Sequence, residues 1–137
     1  MLRFGTMTEA EAMLLNPLKL AYLGDTVWET LIRYELICRG LNVHHMHNDC
    51  VKHVNARAQR ETLDRLEGLL TEQEKDIVRR GRNTHAHHAA PKNQNPEDYA
   101  AATGFEALLG YLYLTGQDER LRSLFRTVVE EGEKDHG

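Results

Sequence analysis

The chain has 137 residues, 41% hydrophobic and 28% charged, with a formal net charge of −4. A chain of this size makes one domain, residues 1–137, that buries about 68–70% of its unfolded surface, and its composition is ordinary for a soluble globular protein. The negative balance excludes a uniformly basic nucleic-acid coat but leaves room for a local basic patch, and the two cysteines, Cys38 and Cys50, offer no disulfide framework and read as reduced thiols.

Thr8 can cap a short helix over Glu9–Leu15, with Glu11 completing a capping box. Asn16-Pro17 restarts the chain, because proline suits the first turn of a helix, and this helix should run to Arg39 with Gly40 as a left-handed stop. Within it, Leu20, Leu23, Val27, Leu31 and Tyr34 form one apolar stripe and Ala21, Trp28, Ile32 and Leu36 a second. Asp25 projects into the second group, where a carboxylate is costly unless a cation, a hydrogen bond or a metal compensates it. The neighbouring Gly24, unfavourable in a helix by about 1 kcal/mol, predicts that something packs closely there.

Residues 44–68 read as one short and one longer helix, with Asn48 and Asn55 as caps. Thr71 and Glu74 form a capping box that opens a helix ending near Arg80. From Arg79 to Asn95 the periodicity stops, and a long polar loop rich in arginine, histidine and asparagine is expected. Asn95-Pro96 then starts a second central helix, apolar, small or aromatic throughout residues 99–115 except for Thr103 and Glu106. Such a helix is buried on all sides, and its small residues Ala102, Thr103 and Gly110 leave room beside Glu106. Gly116 ends it, and Asp118 starts an amphipathic helix through Leu121, Leu124, Phe125 and Val128, with a polar tail expected to fray from Glu131.

No stretch alternates as a strand does, so the fold class is all-α. No basic-then-apolar leader opens the chain, and the longest apolar run carries a charge and falls short of the roughly 20 residues of a membrane span. A cytoplasmic protein without membrane contact is expected.

Asp25 and Glu106 lie on the two most hydrophobic helices, which must pack together. Two acids in one interior raise each other's pKa unless a cation intervenes, and a hard divalent ion prefers carboxylate and water oxygens. The alternative is that an arginine or a helix terminus satisfies each acid, and spacing does not choose between them.

Leu20-Ala-Tyr-Leu-Gly-Asp-Thr-Val-Trp-Glu29 resembles the signature helix of ribonuclease III catalytic domains, and the run from Thr103 to Leu114 resembles their second acidic motif. Arg80-Gly-Arg-Asn83 and Pro91-Lys-Asn93, in that order, are similar to the Mini-III branch, which lacks an appended double-stranded-RNA-binding domain. The resemblance implies a homodimeric helical bundle that cleaves double-stranded RNA by metal-dependent hydrolysis. It further implies 5′-phosphate and 3′-hydroxyl ends and a role in maturing the large-subunit (23S) ribosomal RNA precursor. Asp25 and Glu106 are the implied catalytic residues and the ligands of Mg²⁺, with Mn²⁺ as a substitute. Where ribonuclease III proper carries further acids, this chain has Leu18, Ala21 and Thr103, so the implied site holds one ion as readily as two. Glu29, one turn beyond Asp25, is a further candidate to support it.

Arg79, Arg80, Arg82 and Lys92, clustered without intervening acids beside Asn83 and Asn93, are candidate RNA-backbone contacts, with Arg57 and Lys52 extending the patch. Duplex RNA is read through shape, phosphates and 2′-hydroxyls, so few base-specific residues are needed. His44, His45, His47 and Cys50, and His85, His87 and His88, are bunched like metal ligands but lack the fixed spacing of a zinc site. A helix with two apolar stripes has more to bury than one small domain covers, which agrees with a homodimer. Two other functions share these features: a non-catalytic RNA-binding or ribosome-assembly module, and a phosphohydrolase of small molecules.

Overall fold

A computed structural model describes residues 4–84 and 94–136, with side chains to residue 131. Its described residues form seven α-helices and no strand: α1 (Glu9–Met13), α2 (Pro17–Cys38), α3 (Val43–Val54), α4 (Ala56–Leu66), α5 (Glu72–Thr84), α6 (Pro96–Leu114) and α7 (Asp118–His136). A 3-10 turn, Glu67–Leu69, follows α4.

Helix α6 is the axis of the bundle. It is buried on all sides from Ala101 to Leu112 except at Glu106, and α2, α4 and α5 pack around it. The second stripe of α2 meets it: Ala21, Trp28, Ile32 and Leu36 are all buried. Trp28 stacks edge-on against Phe105 and Phe125, with ring centroids 5.1 and 5.9 Å away, and its Nε1 donates to the His53 carbonyl at 2.9 Å. The first stripe divides. Leu20 and Val27 are buried, Leu23 and Leu31 half-buried, and Tyr34 is 64% exposed.

Local signals place most helix ends. The Thr8–Glu11 capping box is present, Asn16, Asn55 and Asn95 cap their helices, and Gly40 and Gly116 take positive φ. Three boundaries differ from expectation. Helices α3 and α4 have nearly equal lengths, because Asn42 rather than Asn48 caps α3, accepting from His45 N at 2.9 Å. Helix α5 continues past Arg80 to Thr84, with Gly81 pressed against α6, so Arg79, Arg80, Arg82 and Asn83 stand on a helix and not in a loop. The last helix continues beyond Glu131 to His136. No described helix is long and apolar enough to cross a membrane.

Candidate active site

The site follows from a contact between two glycines. A Cβ at Gly24 would lie 1.7 Å from the Glu106 carbonyl oxygen, and one at Gly110 would lie 1.9 Å from that of Leu20. Helices α2 and α6 therefore touch backbone to backbone, which any side chain at either position would prevent. The smallness of Gly110 admits α2; it does not make room beside Glu106, where Ala102 and Thr103 line the open space instead. This contact brings Asp25, the residue after Gly24, against Glu106.

Both carboxyls line a cavity of about 570 Å³ between α2, α4 and the first half of α6. A second hollow of about 380 Å³ shares Asp25, Tyr99, Thr103 and Glu106, so the acid pair is reached from two sides. Asp25 is exposed, which corrects the expectation of an interior residue. Its helical position is the one expected, but none of the described residues covers it. Glu106 is the more enclosed of the two. Burial, then the hydrogen bond and charge of Asp25, push its carboxyl up from 4.5 to about 8, while a hydrogen bond from Gln59 pulls it down. No guanidinium or ammonium of the described residues contributes to that balance.

The cavity walls are tied in place. Arg60 bonds Asp98 at 2.8 Å and reaches Glu97 at 3.7 Å, joining α4 to the first turn of α6. Asn95 caps that turn by accepting from Glu97 N and Asp98 N, at 2.8 and 3.1 Å. Arg57 stands at the cavity wall, exposed, with its Nε 3.2 Å from Glu61.

The other expected site residues lie elsewhere. Arg79 pairs with Asp76, Arg80 reaches the Met13 sulfur at 3.8 Å, and Arg82 lies 3.4 Å from Glu67; none lines the cavity. They point to three different neighbours. Asn83 is exposed on α5. Glu29 bonds Arg33 and faces the groove between α2 and α3, away from the acid pair. Lys52 pairs with Asp49 at 3.6 Å and is likewise absent from the cavity. Lys92, Asn93, His85, His87 and His88 lie outside the described residues.

Among the described residues, no three histidine, cysteine or acidic side chains gather as a metal cluster, those of α3 included. Of the three acids among the described residues that line the cavity, Asp98 is held by Arg60, which leaves two carboxyls, Asp25 and Glu106, as the donor set. That suits a hard divalent ion, which binds through one or two carboxylates and otherwise keeps water or phosphate oxygens. With no guanidinium or ammonium of the described residues acting on Glu106, the acid pair is left for such an ion to neutralise. The residues fit the group.

Sequence reasoning missed Gln59, Arg60 and Asp98. Gln59 had a legible signal, since it shares the buried face of α4 with Thr62, Leu63 and Leu66. The pairing of Arg60 with Asp98 spans 38 residues and had none.

The Ribonuclease III domain model matches residues 18–117. A protein named Mini-ribonuclease 3 from Symbiobacterium thermophilum is 48% identical over 125 residues, covering 90% of this chain and 95% of the relative. Its namesake from Thermoanaerobacter sp. is 44% identical over 125 residues, covering 90% of this chain and 87% of the relative. A solved structure of a Fusobacterium nucleatum protein superposes with a TM-score of 0.80 at 26% identity, covering 92% of this chain and 99% of that one.

Proposed function

This chain belongs to the ribonuclease III family, as an endoribonuclease of that type, and on this premise we propose that it cleaves double-stranded RNA by divalent-metal-dependent hydrolysis. The observation that carries the reading is the convergence of Asp25 and Glu106 on one open cavity, with no cation of the described residues acting on the Glu106 carboxyl.

In this reading Asp25 and Glu106 hold Mg²⁺, or Mn²⁺ in its place. Bound there, the ion would supply Lewis acidity, lowering the pKa of water and steadying charge that develops on the phosphoryl oxygens. Exposed Asp25 would hold the ion from the solvent side, where substrate enters, and the more enclosed Glu106 from the inner side. Arg57 at the rim takes a backbone phosphate, and Arg79, Arg80, Arg82, Asn83, Lys92 and Asn93 extend the contact along the duplex.

A homodimer gives one such site for each strand, related by a two-fold axis. Surplus apolar surface supports it: Ile37, Val43 and Val51 are 65%, 78% and 54% exposed around a groove between α2 and α3. The substrate we propose is the large-subunit (23S) ribosomal RNA precursor, cut by a single catalytic domain in the cytoplasm.

Cleavage of a duplex RNA with Mg²⁺, run beside Asp25→Asn and Glu106→Gln, tests the mechanism. Each variant should lose about a thousandfold in kcat, the several kcal/mol that metal-assisted stabilisation contributes, while duplex affinity in the absence of metal stays. A wild type as inert as both variants, yet still binding duplex, would make this an RNA-binding module and not a nuclease.

A further inference from the structure

The wall of the acidic cavity contains a buried amide for which the hydrolysis above has no role. Gln59 is 1% exposed and shares its face of α4 with Leu63 and Leu66. An amide in such a place is costly unless it is hydrogen-bonded.

Its bonds join two parts of the molecule. The amide nitrogen donates to the Val54 carbonyl at 3.2 Å, and the same side chain lines the cavity together with the Glu106 carboxyl. Val54 is the last residue of α3, where helix carbonyls have no partner within the helix. Side chains take all four of those final carbonyls. Asn55 holds Val51 and Lys52 at 3.2 and 3.1 Å, Trp28 holds His53 at 2.9 Å, and Gln59 holds Val54. The joint between α3 and α4 is thus pinned to α2 by Trp28, and Gln59 ties it to the wall of the cavity that α6 also lines.

The chemistry also sets which way the amide faces. Val54 O accepts from the NH₂ end, which leaves that nitrogen one further hydrogen for an ionised carboxylate of the cavity. Glu106, Gln59 and Asp25 line the same cavity.

We infer that Gln59 is a positioning residue for the reaction: anchored on the Val54 carbonyl, its amide holds the Glu106 carboxylate turned toward Asp25 and the cation. The inference rests on the reading that these two acids bind a divalent ion.

The variant that tests it is Gln59→Met, which keeps the length and volume of the side chain and removes both donors. Three measurements on the full chain go with it: thermal melting, Mn²⁺ affinity without RNA by electron paramagnetic resonance, and kcat and KM on duplex RNA. Mn²⁺ affinity should weaken about tenfold and kcat fall by at least as much, with KM for the duplex unchanged. A folded Gln59→Met that holds Mn²⁺ as tightly as wild type overturns the inference and leaves the nuclease reading standing. A wild type that holds no Mn²⁺ overturns both.

If the variant does not fold, the wild type decides by itself. With ¹⁵N-glutamine labelling, the Gln59 side-chain amide signals should move on adding Mg²⁺ and stay in place in Asp25→Asn. Signals that ignore Mg²⁺ in a wild type that binds Mn²⁺ overturn the inference.

Discussion

Two glutamates of this chain leave water and meet opposite fates. Glu74, at the start of α5, is 5% exposed. It accepts from Thr71 N at 2.9 Å and from Arg120 Nε and Nη2 at 2.9 and 2.8 Å. Burial by itself would raise its pKa, but the Arg120 guanidinium and the Thr71 bonds outweigh it and hold the carboxyl below its usual value. Glu106 faces a second acid and an amide, and its carboxyl is pushed up to about 8. Desolvation is common to both, so the partner decides. Glu74 is satisfied from within and serves the fold, whereas Glu106 is left wanting a cation and is available for chemistry.

The largest test of this contrast is the pH dependence of metal-free stability. Glu106 has a folded-state pKa above its unfolded value of 4.5, so its contribution is fully present below pH 4.5 and is lost as pH rises toward 8. At 1.36 kcal/mol per pKa unit, this decline is on the order of 4 kcal/mol. Glu74 acts in the opposite sense: its contribution is present above pH 4.5 and lost as the solution is acidified below it. Urea unfolding from pH 5 to 8 should show stability falling in wild type, level in Glu106→Gln, and restored toward pH 8 by Mg²⁺. A decline that persists in Glu106→Gln would break the comparison.

Next in size is the satisfied pair. Arg120→Met leaves Glu74 buried without its cation and should cost about 3 kcal/mol, read as a lower denaturation midpoint. The folded fraction should keep its cleavage rate, because Arg120 is not part of the cavity. A loss of kcat at unchanged fold would mean that the two regions are coupled.

The smallest effect on stability is expected at the contact that creates the acid pair. Gly24→Ala improves helix propensity by about 1 kcal/mol but drives a methyl into the Glu106 carbonyl, and overpacking outweighs that gain for a net loss of about 2 kcal/mol. Spreading α2 from α6 separates the carboxyls, so cleavage should fall by more than this loss of stability explains. Unfolding curves and kcat on one preparation separate the two effects.

The helices were legible in the sequence because their signals are local. Apolar periodicity, the Thr8–Glu11 and Thr71–Glu74 boxes, Asn16-Pro17, Asn95-Pro96, and the glycines at 40 and 116 each act within a few residues. Asp25 and Glu106 stood out for the same reason, as charges among apolar helical neighbours, and Gly24 marked the close approach correctly. Tertiary structure alone decided what depends on which faces meet. It put Asp25 at a cavity mouth, carried α5 through Gly81 because α6 lies against it, and found Glu74 its partner 46 residues away. Propensity and capping are properties of neighbours in sequence, whereas burial and charge compensation belong to neighbours in space, which no local pattern encodes.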